Sequence, residues 1–101
     1  MTYVIDANQI TDEMTLHQIF SDTFGFPDYY GMNWNAWIDV MYELPHTSSR
    51  MPKEDQIITL HIKNATSWKK RTPEVFNTFI ECLNEVNIQR YKWSKIALIL
   101  E

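Results

Sequence analysis

The sequence predicts an α/β protein in which a small three-stranded parallel β-sheet is packed with three to four α-helices, in a single domain over residues 1–101. Three short apolar runs are separated by segments of helical periodicity. Strands that alternate with helices in this way are typical of parallel sheets. The 101 residues suit one core, and the 45% that are hydrophobic are enough to build it without disulfides.

The three predicted strands are TYVID (2–6), QIITLHI (56–62) and KIALIL (95–100). Each is bounded by polar residues. The first and last are almost continuously apolar, which is typical of strands buried on both faces of a parallel sheet. We therefore expect both faces of the sheet to be covered.

The first predicted helix follows the first strand. Asp12 and Glu13 precede its apolar stripe, where acids favour the helix dipole, and Gly25 is a suitable C-cap. The residues of the stripe recur at helical spacing: Leu16, Ile19, Phe20 and Phe24.

The second predicted helix spans residues 33–44 and has two different sides. One side is apolar and should pack on the sheet: Asn33, Ala36, Trp37, Val40, Met41 and Leu44. The other side carries Asn35, Ile38, Asp39 and Tyr42, with Glu43 at its edge and Trp34 at the boundary. The outward side therefore combines apolar and aromatic groups with an acid.

A third helix is predicted to begin at Thr72 as N-cap and Pro73 in the first turn. Its apolar stripe is Val75, Phe76, Phe79, Ile80 and Leu83. Two segments remain: residues 45–55 form a polar loop, and residues 63–71 form a basic linker with room for a short helical turn. The predicted order is β-α-α-β-α-β.

The stretch PDYYGMNWNAWID (27–39) concentrates aromatic surface beside an acid. Tyrosine and tryptophan expose large rigid areas, and such residues anchor protein interfaces. Gly31 is expected to supply a backbone angle that other residues resist. Two interpretations of Tyr29, Tyr30 and Trp34 stay open at this point, namely contact with a partner or packing in the core and at its rim. Asp39 alone would most often be a solvated helix charge.

Charge is unevenly distributed along the chain. Residues 1–50 carry seven acids and one base, whereas residues 51–101 carry six acids and eight bases. An acidic half repels phosphate backbones and attracts a basic protein. The single cysteine, Cys82, excludes an intrachain disulfide, and the first residues do not resemble a secretion signal. We therefore expect a cytoplasmic protein.

Around this stretch the sequence resembles the barstar family of ribonuclease inhibitors. The residues that carry the resemblance are YYG (29–31), Asn33, Ala36 and Asp39, within FPDYYGMNWNAWID. The motif is dense but covers about a sixth of the chain; the order of strands and helices fits over the rest. The chain departs from the family pattern at Asn35, where an aspartate is usual, and at Ile38, where a tryptophan is common.

The resemblance implies a cytoplasmic inhibitor that forms a one-to-one complex with a basic ribonuclease or another nuclease toxin. The loop and helix after YYG would plug the active site, and the Asp39 carboxylate would mimic a substrate phosphate. The expected contact residues are Tyr29, Tyr30, Gly31, Asn33, Trp34, Asn35, Ile38, Asp39, Tyr42, Glu43 and Glu81. The departures from the pattern make a target other than a barnase-type enzyme a standing alternative.

Other functions have weaker support. His17, His46 and His61 lie on separate elements at no metal-like spacing, and no glycine-rich phosphate loop is present. Cys82 lacks the base that a nucleophile needs. We therefore expect no catalytic residue, metal or cofactor. An RNA-binding role for the basic segment 63–71 is the remaining alternative, against which we expect Trp68 to lie in the core.

Overall fold

The computed structural model describes all residues, 1–101. Its elements are β1 (Thr2–Asp6), α1 (Glu13–Phe24), α2 (Trp34–Tyr42), β2 (Thr59–Lys63), α3 (Ala65–Arg71), α4 (Pro73–Gln89) and β3 (Ala97–Leu100), with a 3-10 turn at Ala7–Gln9 after β1. The predicted fold class is confirmed. The structure has one helix more than the predicted order of elements: α3 lies in the segment 63–71, for which the sequence predicts a basic linker with room for a short helical turn.

The sheet is parallel with the strands in the order β1-β2-β3. Both connections therefore step across the sheet in the same direction. Because crossovers between parallel strands are right-handed almost without exception, two successive steps in one direction put all their helices on the same face.

The other face of the sheet is bare. Leu60 and Ile62 of the central strand are fully buried under the helices. Val4, His61 and Ile99 form one row across the opposite face, where Val4 is 50% exposed and Ile99 is 48% exposed. The prediction that both faces would be covered is wrong. A continuous apolar run did not signal two-sided burial here, because strand order and crossover handedness decide which face is covered.

The ends of α1 follow the predicted signals. Asp12 is the N-cap, and its carboxylate accepts a hydrogen bond from the Thr15 backbone N–H at 2.8 Å, while the Thr15 hydroxyl oxygen accepts one from the Asp12 N–H at 3.0 Å. Gly25 ends the helix in the left-handed conformation, with φ of 63°.

Helix α2 packs mainly against α4. Trp37 is fully buried, and its ring centroid lies 5.5 Å from that of Phe20 and 5.8 Å from that of Phe79. The prediction that this apolar side would pack on the sheet is therefore wrong. Trp37, Val40, Met41 and Leu44 of the predicted side are buried, but Ala36 is half-buried and Asn33 is exposed. The Trp37 ring is met by aromatic rings from α1 and α4.

The second half of the chain completes the core. Pro73 begins α4 as predicted, although the Thr72 hydroxyl makes no capping hydrogen bond. Trp68 of α3 is fully buried, with ring centroids 5.1 Å from Phe76 and 5.3 Å from Phe79. The expectation that Trp68 lies in the core is confirmed.

Candidate partner-binding site

The loop between α1 and α2 presents two adjacent tyrosines in opposite directions. A turn closed by a 2.9 Å hydrogen bond from the Tyr30 N–H to the Pro27 carbonyl oxygen shapes the loop. Tyr29 is 77% exposed, whereas Tyr30 is 8% exposed and its ring packs edge-to-face on Phe26 at 4.8 Å. Tyr29 is available to a partner, and Tyr30 holds the loop on the core.

A buried hydrogen-bonded chain links this loop to α1. The Nε2 of the fully buried His17 lies 3.1 Å from a Glu13 carboxylate oxygen, and the Nδ1 contacts the Tyr30 hydroxyl. With Nε2–H donating to Glu13, Nδ1 is the acceptor and the Tyr30 O–H donates to it. Burial lowers the pKa of His17, although Glu13 opposes this effect. Burial also raises the pKa of Tyr30, so the folded structure favours the uncharged forms of both His17 and Tyr30.

The left-handed residue of the loop is Met32, with φ of 55°, and not Gly31. The expectation that Gly31 supplies a special backbone angle is therefore wrong. Gly31 is exposed, and its carbonyl oxygen accepts a hydrogen bond from the Asn33 side-chain amide at 3.2 Å. The Asn33 side-chain oxygen in turn accepts one from the Ala36 N–H at 2.8 Å, which makes Asn33 the N-cap of α2.

The outward side of α2 carries the predicted acid. Asp39 is exposed and makes neither an ion pair nor a side-chain hydrogen bond within the chain, and Asn35 is exposed one turn earlier. Ile38 and Trp34 are half-buried, and the Trp34 ring lies 5.2 Å from His17 and 5.8 Å from Trp37. An aspartate without an internal counter-ion thus lies beside partly exposed apolar surface.

Three further side chains extend this surface at the C-terminal end of α2. The carboxylate of Glu43 raises the pKa of Tyr42, with smaller effects from Asp39 and Tyr91. Tyr42, Glu43 and Tyr91 line one cleft, and Asp39 lies on the turn of α2 before Tyr42 and Glu43. Tyr91, which is 81% exposed, follows α4 and was not predicted to belong to the site. The signal that sequence reasoning passed over is the pair of aromatics in the connection QRYKWSK (89–95).

Glu81 is on another helix. It is exposed on α4, and its carboxylate adds to the effect of burial in raising the pKa of the Cys82 thiol, as do Glu13 and Glu85. Its predicted role as a second acidic contact stays a prediction.

The structure contains no group of three histidine, cysteine or acidic side chains arranged to hold a metal ion. No helix is both long and apolar enough to cross a bilayer.

A family model described as Barstar (barnase inhibitor) matches residues 1–98 of this chain. The chain belongs to the barstar family. A comparison with curated proteins returned no match. The resemblance that rested on a short motif is therefore confirmed for nearly the whole length of this barstar-family protein.

Within this barstar-family protein the predicted contact residues fall into three environments. The exposed ones are Tyr29, Gly31, Asn33, Asn35, Asp39 and Glu81. The half-buried ones are Trp34, Ile38, Tyr42 and Glu43. Only Tyr30 is buried. We define the loop 29–33, with Tyr30 as its buried support, and the outer side of α2 as the recognition face; contact by Glu81 stays a prediction.

Proposed function

We propose that this barstar-family protein inhibits a cytotoxic basic ribonuclease by covering its active site with the recognition face. The observation that carries the proposal is the exposed Asp39, which has no counter-ion of its own and lies beside aromatic and apolar surface. An active site that binds phosphate groups presents cationic side chains, and a carboxylate held at that position pairs with them.

The inhibitor acts by occlusion. The Asp39 carboxylate occupies the position of a substrate phosphate, and Tyr29, Trp34 and Ile38 exclude water around it, which strengthens the ion pair. The acidic first half of the chain, with seven acids and one base, steers a basic enzyme toward this side. One inhibitor binds one nuclease and protects the cytoplasm of the producing cell.

The chemistry of the recognition face departs from the family pattern at two positions. Asn35 is exposed and uncharged where the family pattern has an aspartate, and Ile38 provides an aliphatic surface where a tryptophan is common. We therefore include a nuclease of another type as the second candidate target. This alternative leaves Asp39 as the central contact.

The RNA-binding alternative is disfavoured by the environment of the basic segment. Trp68 is fully buried and has no face free for stacking on a base. Arg71 donates hydrogen bonds of 2.9 Å to the carbonyl oxygens of Ile10 and Ala7. These contacts give Trp68 and Arg71 structural roles, which leaves only the lysines of the segment for any phosphate contact.

The test uses Asp39→Asn, which removes the charge and keeps the shape. Asp22→Asn is the matched control, since Asp22 is exposed on α1. Asp12 is unsuitable because it caps α1. The nucleases are barnase and any basic nuclease-like protein encoded beside the inhibitor gene, each assayed for RNA cleavage against increasing inhibitor.

Leaving the nuclease's cations buried and unpaired should cost about 3 kcal/mol or more, which is on the order of a 100-fold loss of inhibition for Asp39→Asn. Asp22→Asn should inhibit as the wild type does. Equal inhibition by the two variants would remove Asp39 from the site, and a wild-type protein that inhibits none of these nucleases would overturn the proposed function.

A further inference from the structure

We propose that a cleft between the end of α2 and the connection after α4 is a second anchor site, which receives a lysine or arginine side chain of the partner. The identity of the partner as a nuclease rests on the proposed function. The cleft has a volume of about 240 Å³ and is lined by Tyr42, Glu43, Gln89, Tyr91, Lys92 and Trp93. This volume lies below that of typical small-molecule pockets and suits a single inserted side chain.

The lining of the cleft suits a cation with an aliphatic stem. Tyr42, Tyr91 and Trp93 provide aromatic walls, against which the methylene groups of lysine or arginine pack. Glu43 is half-buried and has no cation within ion-pair distance. A cation that enters between the rings therefore gains a carboxylate and aromatic faces together.

Lys92 of the same chain already contacts one of these aromatic rings, that of Tyr91. Its Nζ lies 5.8 Å from the centroid of the Tyr91 ring, within the range of a cation–π interaction, and no carboxylate pairs with it. Lys92 is exposed and free to move into solvent when another cation enters. We infer that Lys92 competes with the partner's cation for the cleft.

A buried arginine fixes the two sides of the cleft to each other. Arg90 is 1% exposed, and its Nη1 donates to the carbonyl oxygens of Met41, Tyr42 and Leu44 at 3.1, 3.2 and 2.8 Å. These carbonyls lie at or just beyond the end of α2, where a cation also complements the helix dipole. Tyr91 directly follows Arg90 in the sequence. The hydrogen bonds of Arg90 therefore fix the position of Tyr91 relative to Tyr42.

The rest of the connection is held equally firmly. The Trp93 N–H donates to the Arg90 carbonyl oxygen at 3.1 Å, and the Ser94 N–H and hydroxyl both donate to the Asp55 carboxylate at 2.9 Å. The backbone on both sides of the cleft is thus ordered before a partner arrives. Binding there costs little conformational entropy, which is the condition for a strong anchor.

The cleft can be tested without knowing the nuclease. N-acetyl-arginine amide is titrated into the 15N-labelled protein, with N-acetyl-citrulline amide as the neutral probe of nearly equal shape. We expect arginine to shift the resonances of Tyr91, Trp93 and Glu43, and citrulline to shift them far less. Glu43→Gln should weaken arginine binding, whereas Lys92→Ala should strengthen it, each by about 2- to 5-fold. Glu74→Gln at the other end of α4 is the charge-matched control and should leave binding unchanged.

The outcomes separate this inference from the proposed function. Equal shifts with citrulline, or arginine shifts that avoid the cleft, would overturn the second anchor and leave the Asp39 assay unaffected. If arginine shifts the resonances of the cleft but the protein inhibits no nuclease, the cleft is a cation site and the proposal that its partner is a nuclease is overturned. Where inhibition is found, Tyr91→Ala should weaken it by at least about 5-fold and Asn84→Ala should not; equal effects would refute the anchor.

Discussion

The Tyr30 hydroxyl connects the loop of the recognition face to the buried His17 on α1. The neighbouring Tyr29 makes no such contact and extends into solvent. A tyrosine hydroxyl that is buried needs a partner, and the histidine that provides it is itself held by Glu13. The position of the loop therefore depends on three hydrogen-bonded side chains, Glu13, His17 and Tyr30.

Tyr30→Phe should destabilise the fold because it leaves the buried His17 Nδ1 without its hydrogen bond. We expect a loss of about 1–3 kcal/mol in the free energy of unfolding, measured by urea denaturation. Tyr29→Phe is the matched control and should change stability by less than about 0.5 kcal/mol. A stable Tyr30→Phe protein would show that the hydroxyl contact contributes little.

His17 should also make stability depend on pH. Its pKa is lowered by burial in the folded state, so the unfolded chain binds the proton more tightly. The free energy of unfolding should be constant well above the unfolded pKa of about 6.5 and fall as pH drops through the window below that value. His46→Gln, which changes an exposed histidine, should retain this dependence between pH 8 and 5, and His17→Gln should lose it. A slope that survives in His17→Gln would assign it to another group.

For individual residues, the sequence predicts the exposure of side chains on a helix but not that of side chains in a turn. Asp39 and Asn35 were expected outside because they share one side of a periodic helix. The sequence does not distinguish Tyr30 from Tyr29, because a turn has no periodicity that separates inward from outward side chains. The hydrogen bond that holds Tyr30 inward joins it to His17, which lies 13 positions earlier on α1. No local sequence pattern reveals such a contact.

Helix α2 is held at both ends by side chains that satisfy its free backbone groups. Asn33 accepts from the Ala36 N–H at the start, and Arg90 donates to carbonyl oxygens at the end. The first contact is local and its residue type is a standard cap, so the start of the helix could be predicted. The second contact comes from Arg90, which is 49 positions away from Met41, so the stabilisation of the helix end could not be predicted.

Gly25 and Gly31 should respond differently to an added methyl group. Gly25 has φ of 63°, and a Cβ there would lie 2.1 Å from the Ser49 hydroxyl oxygen, so Gly25→Ala should cost about 1–2 kcal/mol or more. At Gly31 the nearest atom would be the Asn33 side-chain nitrogen at 3.2 Å, with no left-handed angle. Gly31→Ala should cost less than about 1 kcal/mol in thermal or urea unfolding. A larger loss of stability for Gly31→Ala than for Gly25→Ala would support the prediction that Gly31 has a backbone angle that other residues resist.

Helix α3 shows why an element can escape prediction. Its seven residues include three consecutive bases, Lys69, Lys70 and Arg71, and its N-cap Asn64 makes no capping hydrogen bond. A helix of two turns with one large buried side chain, Trp68, has no stripe that periodicity can detect. Tertiary packing of that ring, and Arg71 on the carbonyls of the turn after β1, hold the helix instead.

For the whole molecule, the fold class followed from the alternation of strands and helices, while the distribution of burial across the sheet did not. Parallel sheets usually have both faces covered. Here the bare face contains threonines and the His61–Glu101 pair, whose Nε2 and carboxylate oxygen are 3.0 Å apart, among its apolar groups. Polar side chains of this kind make an uncovered sheet tolerable in water.

Two adjacent positions on β1 test this description. Val4 is on the bare face and Ile5 is buried under the helices. Val4→Thr should change the free energy of unfolding by less than about 0.5 kcal/mol, because it exchanges a methyl for a hydroxyl in contact with water. Ile5→Thr should cost about 2–4 kcal/mol through lost packing and a buried hydroxyl. Similar losses at the two positions in urea unfolding would mean that the outer face is covered in solution.

The one-sided arrangement of the helices also has an evolutionary consequence. The bare face and the recognition face share no residue, so the two can diverge independently. Under the proposed function, natural relatives that inhibit the same nuclease should tolerate drift at Val4, Ala97 and Ile99. Relatives that face new toxins should instead change around Asp39 and Tyr91, while keeping Arg90, on which the spacing of those two regions depends.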